Sequence, residues 1–477
     1  MENPYRRLIE NPIDAVAEKK HAYHFLTERH IQALWMEQKY VKNLTSSEGE
    51  AIEVISPGIW NIEAGPDFRK AHIRVGQRES YGDVEIHLND DSWYHHHHHN
   101  DERYNQVVLH VSLWKPRQPI PIVSSANKSI LTLHLESFLT IPLARIVQLI
   151  DLELYPYKKF IGSGKCAQEL FKGLPDTRIG VFFQKAADWR LEQKSQYMNV
   201  RVAEPLLQAG AGIAMALGYK NNAERFLELF LEIDKENFID EESALAWLMS
   251  KCGFFKDHFA RIWGKSDLYQ HLKLQADKFE NASSVQLSLN QIRPLNHPVR
   301  RLVYLAKMHF DNSIKAILLH LTALWKQNWR EYNRVGKWKP LLESFLFLIP
   351  NYKDDYWNSH FLFENEKRTE TLTLIGDDLK REIVINTFLP LLQGELDNCD
   401  YLELEAFKGF YNSLPASKTG KAKYLAHRFF GNTPKGKILN KADIEQGAYQ
   451  LHHDFCVHFE ASCEGCPFVQ RFKTSFH

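Results

Sequence analysis

The stretch Gly65–Val111, GPDFRKAHIRVGQRESYGDVEIHLNDDSWYHHHHHNDERYNQVVLHV, decides how this chain is read. Three segments in or overlapping it are short, rich in Val and Ile, and bounded by Gly, Pro, Asn or Asp: AHIRV (71–75), GDVEIHL (82–88) and QVVLHVSLW (106–114). Two of them alternate. Val84, Ile86 and Leu88 oppose Asp83, Glu85 and His87, and Val107, Leu109 and Val111 oppose Val108, His110 and Ser112. A period of two marks strands with one apolar and one polar face. AIEVIS (51–56) adds a further strand, so residues 51 to about 125 read mainly as sheet. The segment HAYHFLTERHIQALWMEQKYV (21–41) upstream predicts a helix, with Phe25, Leu26, Ile31, Leu34 and Trp35 loosely on one face.

The polar face carries the chemistry. Asp67 opens one strand, Glu85 lies in the next, and His87 follows on Glu85's face. A hairpin would set the two carboxylates side by side with no obvious Lys or Arg between them, and such a pair repels unless a cation sits there. Hard oxygen ligands with open positions suit Mg²⁺ or Mn²⁺, with the Ile86 carbonyl as a further ligand. Such an ion polarises a phosphoryl oxygen and acidifies a bound water. The bland alternative is coincidence, since a Pro-Asp, a strand Glu and a His two residues later often occur together.

Pro66-Asp67 followed by Glu85-Ile86-His87 resembles the PD-(D/E)XK nuclease superfamily. The resemblance spans about residues 20–115 and implies a restriction-endonuclease-like module: a helix with an acidic residue, three strands, a helix and a strand. It implies Asp67 and Glu85 as ligands of Mg²⁺ or Mn²⁺, Glu28 (with Glu37 second) as the helical acid, and phosphodiester hydrolysis in DNA or another nucleic acid. Tyr104 and Gln106 are similar to the Gln/Tyr elements of some RecB-like members and are expected on the substrate. His87 stands where the superfamily prefers Lys. An imidazole is mostly neutral at pH 7, so it orients or deprotonates water without supplying permanent charge; Lys70 or Arg69 would supply that.

His95–His99 form the only low-complexity run. His96 and His98, with Asp101, are candidates for a transition metal or a phosphate; a solvated loop accounts for most of the five. Trp93 and Tyr104 flank the run and read as core anchors before base-stacking platforms. Near the C-terminus Cys456, Cys463 and Cys466 are spaced C-x6-C-x2-C, and thiolates so placed wrap one metal centre. The spacing resembles the iron–sulfur loop of endonuclease-III-type glycosylases, but Phe472 occupies the fourth position and no matching catalytic turn lies upstream. A fourth ligand for Zn²⁺ or an iron–sulfur cluster is expected among Cys166, Cys252 and Cys399, the remote-cysteine arrangement of some RecB-like nucleases, or among His453 and His458. Reduced thiols without metal are the alternative. Lys418, Lys421, Lys423, Arg428, Lys435 and Lys437 form a basic stretch, read first as a solvated connection and second as a phosphate contact.

From about 175 the period becomes helical: Phe182, Phe183, Ala186 and Trp189; Ala223, Phe226, Leu227 and Phe230; Val299 to Phe310 after Pro298; Ile314 to Trp325 after Asn312 and Ser313. The chain is thus α+β: an α/β module over 1–150, a linker near 150–175, an α-helical region over 175–440 and a cysteine-containing tail over 441–477. The whole chain also resembles a bacterial family of unassigned activity with a GPDF…GDVEIH…YNQVVLHV core.

Composition sets limits. With 477 residues and 44% hydrophobic content the chain can bury a sizeable core. Lys plus Arg equals Asp plus Glu at 59 each, so any basic surface is local. No apolar run reaches the roughly 18 residues of a membrane span, the first residues carry no apolar leader, and six cysteines make no disulfide framework, so a cytosolic setting is expected. No phosphate-binding loop of the GxxxxGK[ST] kind is present. Besides a nuclease, two readings compete: a non-catalytic nucleic-acid-binding or scaffold protein with a decayed nuclease fold, and a metal-dependent β-barrel enzyme using His87, His96, His98 and His110.

Overall fold

A computed structural model describes residues 3–10, 26–150, 152, 155, 162–279, 285–289, 294–363, 367–396, 400–417, 419–458, 463 and 466–476. Cys399 and Lys418 lie outside these, as do most of the 150–161 linker, the start of the 21–41 helix and the side chain of His458. The chain is mixed α+β, with its sheet in the N-terminal half. It forms two compact units: residues 7–169 with 451–477, and residues 1–6 with 170–450. Of the tail drawn from sequence over 441–477, residues 451–477 fall in the unit of the sheet and 441–450 in the other.

In the first unit the β-branched segments pair as strands β1 (Ile52–Ser56), β2 (Ile59–Trp60), β3 (Phe68–Val75), β4 (Arg78–His87), β5 (Val107–Ser112) and β6 (Leu131–His134). Their order is β1-β3-β4-β5-β6, with β2 beside β3. This path has two ends and does not close into a barrel. Gly76, at φ +56°, turns β3 into its antiparallel partner β4. β4, β5 and β6 then run parallel. Parallel strands need a crossover, and residues 88–106, which hold the histidine run, supply the one between β4 and β5. Register sets Glu85 opposite His110 and His87 opposite Ser112, so these four polar residues share one face.

The other face is apolar. Val84, Ile86, Leu109, Val111 and Leu133 pack with Ile31, Leu34 and Trp35 of the helix Glu28–Glu37. Val457 of the tail is fully buried in the same core. Both faces of the end of β4 are therefore covered, and Glu85 and His87 are buried along with Val84 and Ile86. Burying four consecutive residues that include two ionisable ones is costly unless they are compensated.

The second unit is helical. Its segments include Asp176–Arg201, Pro205–Leu217, Tyr219–Ile233, Glu241–Lys251, Pro298–Phe310 and Ser313–Val335. The apolar stripes read from sequence fall inside them, and Pro298 starts its helix at the position where a missing N–H costs nothing. His297 caps this helix: its Nδ1 accepts the Val299 N–H at 3.2 Å. Burial beside Phe254 and Trp263 lowers the imidazole to about 4. Protonation would take away the acceptor as well as bury a charge. The folded value lies below the unfolded one near 6.5, so this stabilisation is complete above that pH and is lost as pH falls towards 4. We expect it to be worth on the order of 2–3 kcal/mol. His297→Asn keeps a capping acceptor but does not titrate, so thermal melts between pH 7 and 4 should show a shallower acid loss than the parent. Parallel pH profiles of the two would refute this.

Candidate metal-binding site

Local strain builds the site. β3 bulges between Phe68 and Ala71, where Lys70 adopts φ +57° and its N–H donates to Asp83 Oδ1 at 3.1 Å. Gly82 lets β4 close on the next strand, since a Cβ there would lie 2.6 Å from the Gln106 carbonyl. Asp67, just before β3, faces Glu85 across the hairpin. Its N–H donates to Glu85 Oε2 at 3.0 Å, and its own Oδ2 accepts the Ile86 N–H at 3.0 Å. Each carboxylate is therefore held by backbone from the partner's strand segment. Asp67 Oδ1 also accepts from Gln32 Nε2 at 2.8 Å.

Glu85 is 5% exposed. Burial pushes its carboxyl well above the usual range, the Asp67 N–H pulls it back, and the charge of Glu28 adds to the rise. Glu28 opens the helix Glu28–Glu37, and its charge is felt at Glu85. Glu37, at the far end, accepts the Tyr155 hydroxyl at 3.2 Å. Carboxylate oxygens are the donors a hard divalent cation takes, and a cation bound here would reverse the penalty on Glu85.

Histidines surround Glu85 on its other side. His98 Nε2 stands 3.1 Å and His87 Nε2 3.6 Å from Glu85 Oε1. His87 Nε2 is also 3.2 Å from His96 Nδ1, and His87 Nδ1 is 2.9 Å from His110 Nε2. His110 Nδ1 lies 3.8 Å from Asp90 Oδ1, and Asp90 is held by Ser112 Oγ at 2.6 Å and His134 Nε2 at 3.0 Å. His97 adopts φ +60°, which folds the run back between the helix Ser92–His95 and the turn His98–Asn100. His98 is thereby buried while His95, His96 and His97 are exposed. Desolvation holds His87 far below its usual value and His98 at about 4, so both imidazoles are neutral at pH 7.

Tyr104 is buried and stacks on His98, ring centroids 3.9 Å apart. Trp93 is fully buried, and its indole N–H donates to the Val123 carbonyl at 3.0 Å. Gln106 is exposed, and its carbonyl accepts the Asp83 N–H at 2.8 Å. Lys70 and Arg69 are exposed, and the Arg69 guanidinium donates to the Ala64 carbonyl at 3.0 Å. Asp101 pairs with the Arg103 guanidinium, and the Asp101 N–H donates to the His98 carbonyl at 3.2 Å.

In the tail, the Lys165 N–H donates to Cys463 Sγ at 3.4 Å, and the Cys466 N–H donates to the Cys463 carbonyl at 3.3 Å. Cys166, the residue after Lys165, is buried. Cys252 belongs to the helical unit, where burial raises its thiol far above the usual range. His453 Nδ1 contacts Asp454 Oδ1 at 2.9 Å.

The basic stretch is more structural than a solvated connection implies. Arg428 is 2% exposed, and Lys435 Nζ donates to the carbonyls of Phe171, Lys172 and Leu174.

Gln32, Asp90, Ser112 and His134 were not singled out from sequence. Gln32 is four residues after Glu28, which puts both on one helix face, so that signal was available. The Asp90 contacts depend on β5–β6 register, which no local pattern carries.

An open mixed sheet with an acid pair and a buried histidine cluster is the class these observations define. The chain belongs to the family described as protein of unknown function (DUF2851), whose match covers residues 28–419. No curated protein and no solved structure matches the chain. No helix among the described residues is long and apolar enough to cross a membrane.

Proposed function

We propose that this chain is a metal-dependent phosphodiesterase of restriction-endonuclease-like architecture that acts on DNA or another nucleic acid. The observation that carries the reading is the reciprocal backbone clamp between Asp67 and Glu85, at 3.0 Å in each direction, with the charge of Glu28 felt at Glu85. The strand order, antiparallel into β4 and parallel beyond it, supports it.

Asp67 and Glu85, assisted by Glu28, would hold Mg²⁺ or Mn²⁺, which when bound supplies phosphoryl polarisation and an acidified water. The Gln32 amide and the Ile86 N–H fix both oxygens of Asp67, so that carboxylate pays little reorganisation on binding. His87, kept neutral, is the group that orients water or takes its proton. Lys70, exposed on the β3 bulge, is the cation assigned to the developing phosphorane charge, while Tyr104, Gln106, His96 and His98 are assigned to the substrate side.

The test is a cleavage assay of the full chain on single- and double-stranded DNA and RNA with Mg²⁺ or Mn²⁺. Cleavage that EDTA abolishes and Mn²⁺ restores is expected. Salt-sensitive binding with no cleavage under any of these conditions would replace the reading with the scaffold alternative, which the neutral His87 favours.

The tail cysteines complete the reading as a thiolate centre. The contact of the Lys165 N–H with Cys463 Sγ supports Cys166, next in sequence, as the fourth ligand to test beside Cys456, Cys463 and Cys466. Protein purified without oxygen should carry iron with acid-labile sulfide, or one zinc, and Cys166→Ser should release it. Metal-free protein, or retention of the metal by Cys166→Ser, would remove this assignment.

A further inference from the structure

We propose that His87, His96, His98 and Glu85 form a binding site for a borderline divalent transition metal of the zinc class, separate in chemistry from the hard-cation position at Asp67. The inference deepens the functional reading by naming a metal at the same centre, and it rests on that reading through the shared residues Glu85, His87, His96 and His98, whose imidazoles act as ligands when this metal is bound.

One ring nitrogen from each of His87, His96 and His98 lies within 4.8 Å of the other two, the only such group of three metal-ligating side chains among the described residues. The spacings are those of ligands around a single small ion. His87 Nε2 to His96 Nδ1 is 3.2 Å, His98 Nε2 to Glu85 Oε1 is 3.1 Å, and His87 Nε2 to Glu85 Oε1 is 3.6 Å. Tetrahedral ligation with bonds of about 2.0–2.1 Å places neighbouring ligand atoms roughly 3.3–3.4 Å apart.

Two further observations point to lone pairs that converge on a common point. His98 Nε2 is buried and makes no hydrogen bond of acceptable alignment, although Glu85 Oε1 is 3.1 Å away. A donor and acceptor meeting for their own sake would align; two ligands of one ion need not. The tautomer agrees. His87 Nδ1 lies 2.9 Å from His110 Nε2, and in the tautomer in which His87 donates, its Nδ1 carries the proton. His87 Nε2 then carries its lone pair, facing His96, His98 and Glu85. A hydrogen bond at the far ring nitrogen is the arrangement that orients a metal-bound imidazole. Tyr104 stacked on His98 and Trp93 set edge-on to His98 and His110 fix the rings in place. Three imidazoles and one carboxylate favour Zn²⁺, Co²⁺, Ni²⁺ or Fe²⁺ over Mg²⁺.

The experiment titrates tag-free full-length protein with Co²⁺ and Zn²⁺, following visible cobalt bands and equilibrium dialysis. Weak d–d bands without thiolate charge transfer report this site, while sulfur-to-metal absorption reports the tail cysteines. One equivalent bound through the nitrogen-type spectrum is expected, displaced by Zn²⁺ and indifferent to millimolar Mg²⁺. His96→Ala, at an exposed position, should weaken it at least about 100-fold, and His110→Gln about 10- to 100-fold through its contact with His87. His95→Ala, in the same run, should not change it. Absence of the nitrogen-type spectrum, or binding that survives His96→Ala and His98→Ala together in folded protein, would overturn the proposal. Mg²⁺-dependent cleavage with no cobalt capture would sink this inference alone; cobalt capture with no cleavage of any nucleic acid would sink the functional reading alone.

Discussion

Asp67→Asn should reduce metal-dependent cleavage by roughly a thousandfold or more, about 4 kcal/mol of transition-state stabilisation, while the protein stays folded. The substitution is nearly isosteric. An amide oxygen can still accept the Ile86 N–H, and Gln32 can turn its own oxygen towards the new NH₂ group, so both contacts of Asp67 survive. What disappears is one negative charge from the pair that would hold the cation. A structural role for Asp67 predicts the opposite pattern: little change in rate and a lower melting temperature. Comparing kcat and melting temperature for the parent and Asp67→Asn over a range of Mn²⁺ separates the two. Unchanged cleavage in a folded variant would dismiss Asp67 from the site.

Arg300→Met should cost the helical unit on the order of 3–5 kcal/mol, enough to lower its melting temperature by about 10 °C. Arg300 is fully buried in the helix Pro298–Phe310. Its Nη1 donates to the Trp357 carbonyl at 2.9 Å and to that of His360, and its Nη2 donates to the Thr373 carbonyl at 3.1 Å. The guanidinium thus ties an irregular segment to the helix through backbone acceptors that have left water. Met fills the volume but satisfies none of them, and each orphaned carbonyl costs about 1–3 kcal/mol. Arg300→Lys keeps the charge yet lacks the planar fork, so most of the loss should remain. A melting temperature within 2 °C of the parent for Arg300→Met would show that the segment re-solvates instead.

The sheet was legible because its strands alternate β-branched and polar residues between Gly, Asp and Asn, a pattern local enough to read without knowing the fold. The acid pair was legible for the same reason: Asp67 and Glu85 flank one hairpin, so nearest-neighbour pairing brings them together. The histidine run was harder. Five identical residues carry no period, and which of them turn inwards is set by the left-handed backbone at His97 and by stacking on Tyr104. His110, Asp90 and His134 meet only because β4, β5 and β6 lie parallel in a particular register, a fact of tertiary structure. The tail's membership of the sheet-bearing unit was equally hidden, since Val457 looks like any apolar residue next to a cysteine until its neighbours are known.

That membership dictates an order of events on the ribosome. The sheet-bearing unit is interrupted after residue 169 and resumes at 451, with about 280 residues of the helical unit between. At synthesis rates of ~5–20 residues per second, nascent strands wait roughly 15–60 s for residues 451–477, which add Val457 to their core. The inserted helices can finish folding during that interval. Val457 therefore joins a core whose strands left the ribosome well before it.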